Sequence, residues 1–370
     1  MKIGILTYPF NANFGGILQN YALSKFLRSH GHEVQTVCTK KLVNRSFAVQ
    51  LIAIVVRCVK KYFFQKRGVL VFSEKKLNEE NNIISRNTNE FINKNISVRW
   101  VNDIRKDIEP NDYDILIVGS DQVWRNNYNV QLYYLDFAKK WNIKRISYAA
   151  SFGTDDWEYN RATTKKCKAL VDLFDDISVR EITAVGLCKR YFMVESTWVL
   201  DPTFLLSKNA YKQFVNNSNN GQGKVFNYIL DKSAEKEESL HSICKLLNKD
   251  TFSINADVYN REIPIEKRIQ PKVEEWLTSI WNSDFVFTDS FHGMVFSIIF
   301  EKPFVVFGNS ERGLARFESL LRFIGLEDLL ISKSKDVNGS LVNKTIDYNS
   351  VHEKLEGLKN ASMAFLKKHI

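Results

Sequence analysis

The chain has no Cys-x-x-Cys pair, no Gly-Lys-Ser/Thr phosphate loop, and no apolar run near the roughly 20 residues of a membrane span. Its five cysteines, Cys38, Cys58, Cys167, Cys188 and Cys244, are odd in number and far apart. That excludes a disulfide framework and fits reduced thiols that serve packing. No Cys/His cluster has zinc spacing, so no metal site is expected. The opening Met1-Lys2-Ile3-Gly4-Ile5-Leu6-Thr7 lacks the basic start, long apolar stretch and cleavage site of a signal peptide. A cytoplasmic protein is expected. From Val34 to Ser73 there is not one Asp or Glu.

That acid-free stretch holds Lys40, Lys41, Arg45, Arg57, Lys60, Lys61, Lys66 and Arg67 around the apolar run Ala48–Val56. As a helix it would be an apolar rod with a thin polar stripe of Gln50, Arg57 and Lys60/Lys61. Residues 40–67 fit either a contact with an anionic membrane surface or a helix buried against its domain with lysines at the rim. The net charge is +10. No nucleic-acid motif accompanies it, and the basic residues lie beside aliphatic ones instead of alternating with aromatics. A nucleic-acid or other non-catalytic anion-binding protein is thus a distant alternative.

What the chain does contain is an alternation of short apolar strands and helical stretches over 370 residues, a length suited to two domains. Strands are expected at Lys2–Tyr8, Glu33–Cys38, Tyr113–Val118, Arg145–Ala149 and Asp176–Val179, with helices at Gly15–His30, Asn160–Phe174 and Glu181–Tyr191. Val199–Thr203 reads as a linker. The grammar then repeats: strands at Val225–Leu230, Phe285–Thr288 and Pro303–Phe307, helices at Ala234–Asn248, Lys272–Asn282, Ser290–Phe300 and Gly313–Ile324, and a last helix over Ser350–His369. The expectation is an α/β protein with two Rossmann-like domains facing across a cleft. The first covers 1–200 and carries a basic apolar insertion at 40–72, the second covers 201–345, and a helix at 346–370 closes the chain.

Ligands of open parallel sheets bind at the carboxyl ends of strands, where helix N-termini point. Four such ends carry polar or glycine residues. Asn13-Phe14-Gly15-Gly16 can cradle an anion or be a plain tight turn, with Gln19 one turn on. Ser120 and Asp121, in Gly119–Trp124, reach a ligand or cap a helix. Arg180, directly after a strand, can fork onto a carboxylate or phosphate or pair with a structural acid. In Thr288-Asp289-Ser290-Phe291-His292-Gly293, Asp289 or Ser290 caps the helix and His292 lies in its first turn. A histidine there has reason to sit beside an anion and is the natural general acid near neutral pH. Arg312 and Arg316 can reach the same cleft or remain surface charge.

These stretches carry a resemblance. The ordered set Gly4–Tyr8, Asn13–Leu23, Asp114–Trp124, Ile146–Gly153, Ile177–Glu181, Asp201-Pro202-Thr203, Asp289–Gly293 and Lys302-Pro303 resembles the polysaccharide pyruvyl transferase family. The resemblance implies a glycosyltransferase B-like fold. It also implies transfer of the pyruvyl group of phosphoenolpyruvate to a sugar diol of a bacterial surface polysaccharide precursor, giving a cyclic ketal and phosphate. His292 then corresponds to the general acid and Arg180 to a donor-binding arginine, with Asp289 or Asp121 left as candidate base. Phosphoenolpyruvate would be a substrate, with no cofactor. The acceptor would be a sugar or lipid-linked oligosaccharide, which would suit a peripheral enzyme at the inner face of the cytoplasmic membrane. A nucleotide-sugar-dependent glycosyltransferase of similar architecture is the closest rival.

Overall fold

The computed structural model describes the chain except residues 11, 40–46, 66–70, 72, 128, 217, 259 and 310–312, and the side chains of 47–50. Two parallel sheets organise it. The first contains β1 (Lys2–Leu6), β2 (Glu33–Thr39), β3 (Val98–Val101), β4 (Ile115–Val118), β5 (Lys144–Ala150), β6 (Asp176–Val179) and β7 (Thr197–Trp198), in the order 3-2-1-4-5-6-7. The second contains β8 (Val225–Tyr228), β9 (Thr251–Phe252), β10 (Phe285–Thr288), β11 (Phe304–Phe307) and β12 (Leu330–Ile331), in the order 12-11-10-8-9. The central strands β4, β10 and β11 are wholly buried apolar runs, as strands covered by helices on both faces must be.

The inner strands stand within a residue or two of their expected places. The strands missing from the sequence reading, β3, β7, β9 and β12, all sit at or next to a sheet edge. They are two to four residues long and partly exposed, so they present no apolar run. The helices Ser73–Ile84 and Arg86–Asn95 were also unforeseen. The helix expected over Glu181–Tyr191 runs from Ile182 to Leu187 and finishes in a π turn, Cys188–Phe192. Val199–Thr203 is less a linker than a packed corner, since Pro202–Leu205 forms a buried 3₁₀ turn against the first helix.

The two sheets are joined by a continuous core. Phe14, Ile17, Leu18 and Tyr21 of the helix Phe14–Ser29 pack with Trp276, Phe291, Met294 and Phe296 from the second half. Phe14 and Trp276 stack at 5.4 Å between centroids. The helices 73–95 reach across as well: the Gln270 backbone N–H donates to Ile84 at 2.9 Å, and Asn87 donates to the Gln270 carbonyl at 2.8 Å. The last helix, Tyr348–Lys367, turns back to the first sheet. There Phe365 and Leu366 pack with Ile3, Ile5 and Ile117, and Ser362 accepts a 2.9 Å hydrogen bond from the Leu200 backbone N–H. By contrast, no residue from Leu51 to Gln65 is buried, which overturns the buried-helix reading for this part of the basic segment.

Candidate active site

The carboxyl ends of β4, β6, β7 and β10 converge where the two sheets meet. Arg180, the residue after β6, is almost wholly buried. Its two terminal nitrogens donate to different acids, Asp201 beyond β7 at 2.9 Å and Asp121 beyond β4 at 3.2 Å. Its guanidinium also lies over the ring of Phe291, 4.9 Å from the centroid. Arg316, in the first turn of the helix Ala315–Ile324, lies over the same ring at 5.2 Å. Burial first, and then repulsion from Arg180, push the Arg316 guanidinium down to about 10. An anion bound beside it would favour the charged guanidinium and offset this shift.

His292 completes the cluster. The Ser290 hydroxyl caps its helix by accepting from Gly293 N–H at 3.3 Å. The capped turn aims the imidazole at the first sheet. Nε2 stands 3.4 Å from Asp201 Oδ2, longer than an ordinary N–H···O hydrogen bond, and it has no hydrogen-bond partner among the described residues. Asp201 therefore faces both Arg180 and His292. Burial works to raise its pKa, but His292 and Arg180 beside it hold the carboxyl far below the usual carboxylate range. Asp121 likewise meets burial as its largest influence, yet Arg180, His292 and Arg316 keep it low.

Gly15 is explained by this packing. A Cβ at that position would lie 2.1 Å from His292 Nδ1, so glycine lets the imidazole press against the start of the first helix. Gly313 acts likewise at a second crossing. Its φ is +88°, and a Cβ there would lie 1.6 Å from the Gly153 carbonyl. A Cβ at Gly16 would meet Asn13 and Asp121 only at ordinary contact distance, and with Asn13, Gln19 and Asp121 this glycine lines a crevice at the switch point between β1 and β4, closed by Thr7, Tyr8 and Phe10. Asn13 caps the helix through Gly15 N–H at 3.1 Å. Gln19 is buried, and its Oε1 finds no hydrogen-bond partner among the described residues.

Other expected residues fall elsewhere. Asp289 is fully buried and accepts from Leu230 N–H at 2.7 Å, Asp231 N–H at 3.1 Å and Lys236 Nζ at 2.7 Å. It ties the β8 loop to its own strand end and is not a free base. Arg180 pairs with acids, as one of its two readings held, and is not a free anion fork. Ser120 donates to the Ala149 carbonyl at 3.0 Å and is buried. Arg312 lies outside the described residues. Among those residues no group of three or more His, Cys, Asp and Glu is placed to hold a metal ion.

Three contributors were missed. Asp201 was read only as linker and as part of a matched motif, although an acid closing the apolar pair Val199-Leu200 is the same strand-end signal that marked Asp121. Phe291 stood in the motif around His292 and was given no role. Glu181 is buried, and its Oε1 accepts from Ser151 Oγ at 3.0 Å, Phe152 N–H at 2.8 Å and Gly153 N–H at 3.1 Å. Burial raises its pKa, against the pull of Arg180 and Arg316.

The family model for polysaccharide pyruvyl transferase matches residues 13–311, most of the chain. The chain belongs to the polysaccharide pyruvyl transferase family. Its family is one of transferases, and the match spans every element of the cluster except Arg316, which lies just beyond it. No curated protein matches this family member at the level of sequence. Among solved structures it is similar to a Listeria monocytogenes protein described as a UDP-N-acetylglucosamine 2-epimerase. The TM-score is 0.51 at 11% identity, over 100% of this chain and 96% of the other. The UDP-GlcNAc 2-epimerase of Neisseria meningitidis gives a TM-score of 0.46 at 11% identity, over 97% and 100%. The fold of this pyruvyl transferase family member is thus the expected α/β, glycosyltransferase B-like arrangement.

Proposed function

We propose that this chain transfers the pyruvyl group of phosphoenolpyruvate to two hydroxyls of a sugar in a surface polysaccharide precursor, releasing inorganic phosphate. The observation that carries this reading is His292 Nε2, a buried nitrogen with no hydrogen-bond partner among the described residues, at the junction of the two sheets where Arg316 lies over the neighbouring Phe291 ring. Family membership supports the reaction class.

The chemistry asks for few groups. His292 donates a proton to the methylene carbon of the enol, which becomes a methyl group, and the neighbouring carbon becomes cationic. One sugar hydroxyl attacks that carbon and loses its proton. The phosphate ester C–O bond then breaks, and the second hydroxyl closes the ring as it loses its own proton. Asp201 faces His292 and stabilises the ring in its protonated form by charge. Arg316, buried over the same Phe291 ring as Arg180, adds a second guanidinium at this junction for the donor's anionic groups. Asp121 borders the Gly16–Gln19 crevice, while Asp289 is locked away, so Asp121 is the remaining candidate to accept a hydroxyl proton. A weak base suffices there, since the attacked carbon is cationic.

The test is incubation with phosphoenolpyruvate and a panel of galactosides, glucosides and N-acetylmannosaminides, read by mass spectrometry for a pyruvyl ketal and by phosphate release. His292→Ala should lower turnover by about 10²–10⁴-fold. Near-normal turnover in that variant would end the assignment. Thermal stabilisation by a nucleoside diphosphate, with none by phosphoenolpyruvate, would favour a nucleotide-sugar donor instead.

A further inference from the structure

The segment Phe47–Phe63 is an α-helix to Cys58 followed by a π turn. At 1.5 Å per residue it is a rod of roughly 25 Å. Leu51, Ile52, Val55, Val56 and Val59 are all exposed, and at its end Tyr62 is 70% and Phe63 80% exposed, with Phe64 beside them. A helix that is apolar on most sides is ordinarily covered. Among the described residues only the face of Ala53, Ile54, Arg57 and Cys58 is partly covered, and none is buried. It is tethered near its end, where Arg57 forks onto Glu74 of the helix Ser73–Ile84 in an ion pair. That pair engages Glu74, while Lys60 and Lys61 are exposed beside the aromatic end.

We propose that this segment is a docking surface for an anionic lipid bilayer, lying in the interface with Tyr62, Phe63 and Phe64 inserted and Lys60 and Lys61 on the headgroups. Charge complementarity selects this occupant. The sequence from Val34 to Ser73 has no acid to repel a negative surface, and aromatic side chains next to lysines suit the interfacial region. A second copy of the same face would set lysines against lysines with no acid to answer them. Spanning is excluded for this element, since among the described residues no helix is long and apolar enough to cross a membrane. The inference does not depend on the reaction catalysed.

Sedimentation of the full chain with sucrose-loaded vesicles tests it, comparing phosphatidylcholine alone with phosphatidylcholine mixed with phosphatidylglycerol. Binding to the mixed vesicles, weakened by salt, is expected. Lys60→Glu/Lys61→Glu should reduce it by at least tenfold. Phe63→Ala/Phe64→Ala should reduce it without changing its salt dependence. Both variants alter exposed side chains, and an unchanged thermal transition would verify their folding. Equal recovery in the supernatant with both vesicles would overturn the proposal, as would undiminished binding by both variants. A concentration-dependent dimer abolished by Phe63→Ala/Phe64→Ala would overturn it too, and would assign the face to a second copy.

Discussion

Asp201, beyond β7, and Asp289, beyond β10, occupy comparable places at the carboxyl ends of their sheets, and both are fully buried. Asp289 is satisfied from within its own half, by two backbone N–H groups and Lys236. Asp201 looks across the interface, to Arg180 of its own sheet and to His292 of the other. Position at a strand end therefore does not separate a loop tie from a site residue. What separates them is whether the partners come from one sheet or from two.

The comparison breaks most sharply at Asp201. Asp201→Ala leaves Arg180 with one paired acid and takes from His292 the acid nearest its Nε2, both side chains being buried. Unfolding in denaturant should show a loss of about 3–5 kcal/mol, with turnover falling as His292 loses its counter-charge. The pH dependence follows from the depressed carboxyl. A folded-state pKa below the unfolded value of about 3.9 gives stability that is complete above that value and is lost as pH falls toward the folded one. Asp201→Ala should flatten this acid limb, measured as the denaturation midpoint against pH. An unaltered limb would assign it to other carboxylates.

A smaller effect is expected at Asp289. Asp289→Asn keeps an oxygen for one of the two backbone N–H groups but loses the other acceptor and the charge facing Lys236, for a loss of about 1–3 kcal/mol. Turnover per folded molecule should stay near normal. A large fall in turnover with stability intact would return Asp289 to the chemistry and erase the contrast with Asp201.

The smallest change belongs to Glu181, whose carboxyl burial raises. For an acid raised above its unfolded value of about 4.3, ionisation at higher pH subtracts stability. Glu181→Gln keeps an acceptor for Ser151 Oγ and the Phe152 and Gly153 N–H groups. Its unfolding free energy at pH 7 should not fall, and should change by about 1 kcal/mol or less. A marked loss would mean that the ionised carboxylate is needed by Arg180 and Arg316.

The fold was legible where burial imposes a pattern. Strands covered on both faces, such as Ile115–Val118 and Phe285–Thr288, must be apolar throughout, and their runs stand out in the sequence. Thr197–Trp198 and Thr251–Phe252 pair on the outside of their sheets and need only backbone hydrogen bonds, so no apolar run betrays them. The site was legible to the extent that strand ends can be found. Arg180, Asp121 and His292 do meet, and Arg316 joins them. Their pairing was not legible, because it depends on how two sheets some hundred residues apart in sequence are set against each other. The carboxylate common to Arg180 and His292, Asp201, lay in a segment whose proline suggested a connector. The close contact of Gly15 with the His292 ring is likewise a product of that assembly and has no local signature.

The return of the helix Tyr348–Lys367 to the first sheet has a consequence for how this molecule can be divided. Phe365 and Leu366 cover Ile3, Ile5 and Ile117, so residues 1–200 on their own would present a bare apolar face to water and be prone to aggregate. Any exchange of halves between members of the family must therefore carry the first sheet and the closing helix together, with the five-stranded half as the interchangeable insert between them.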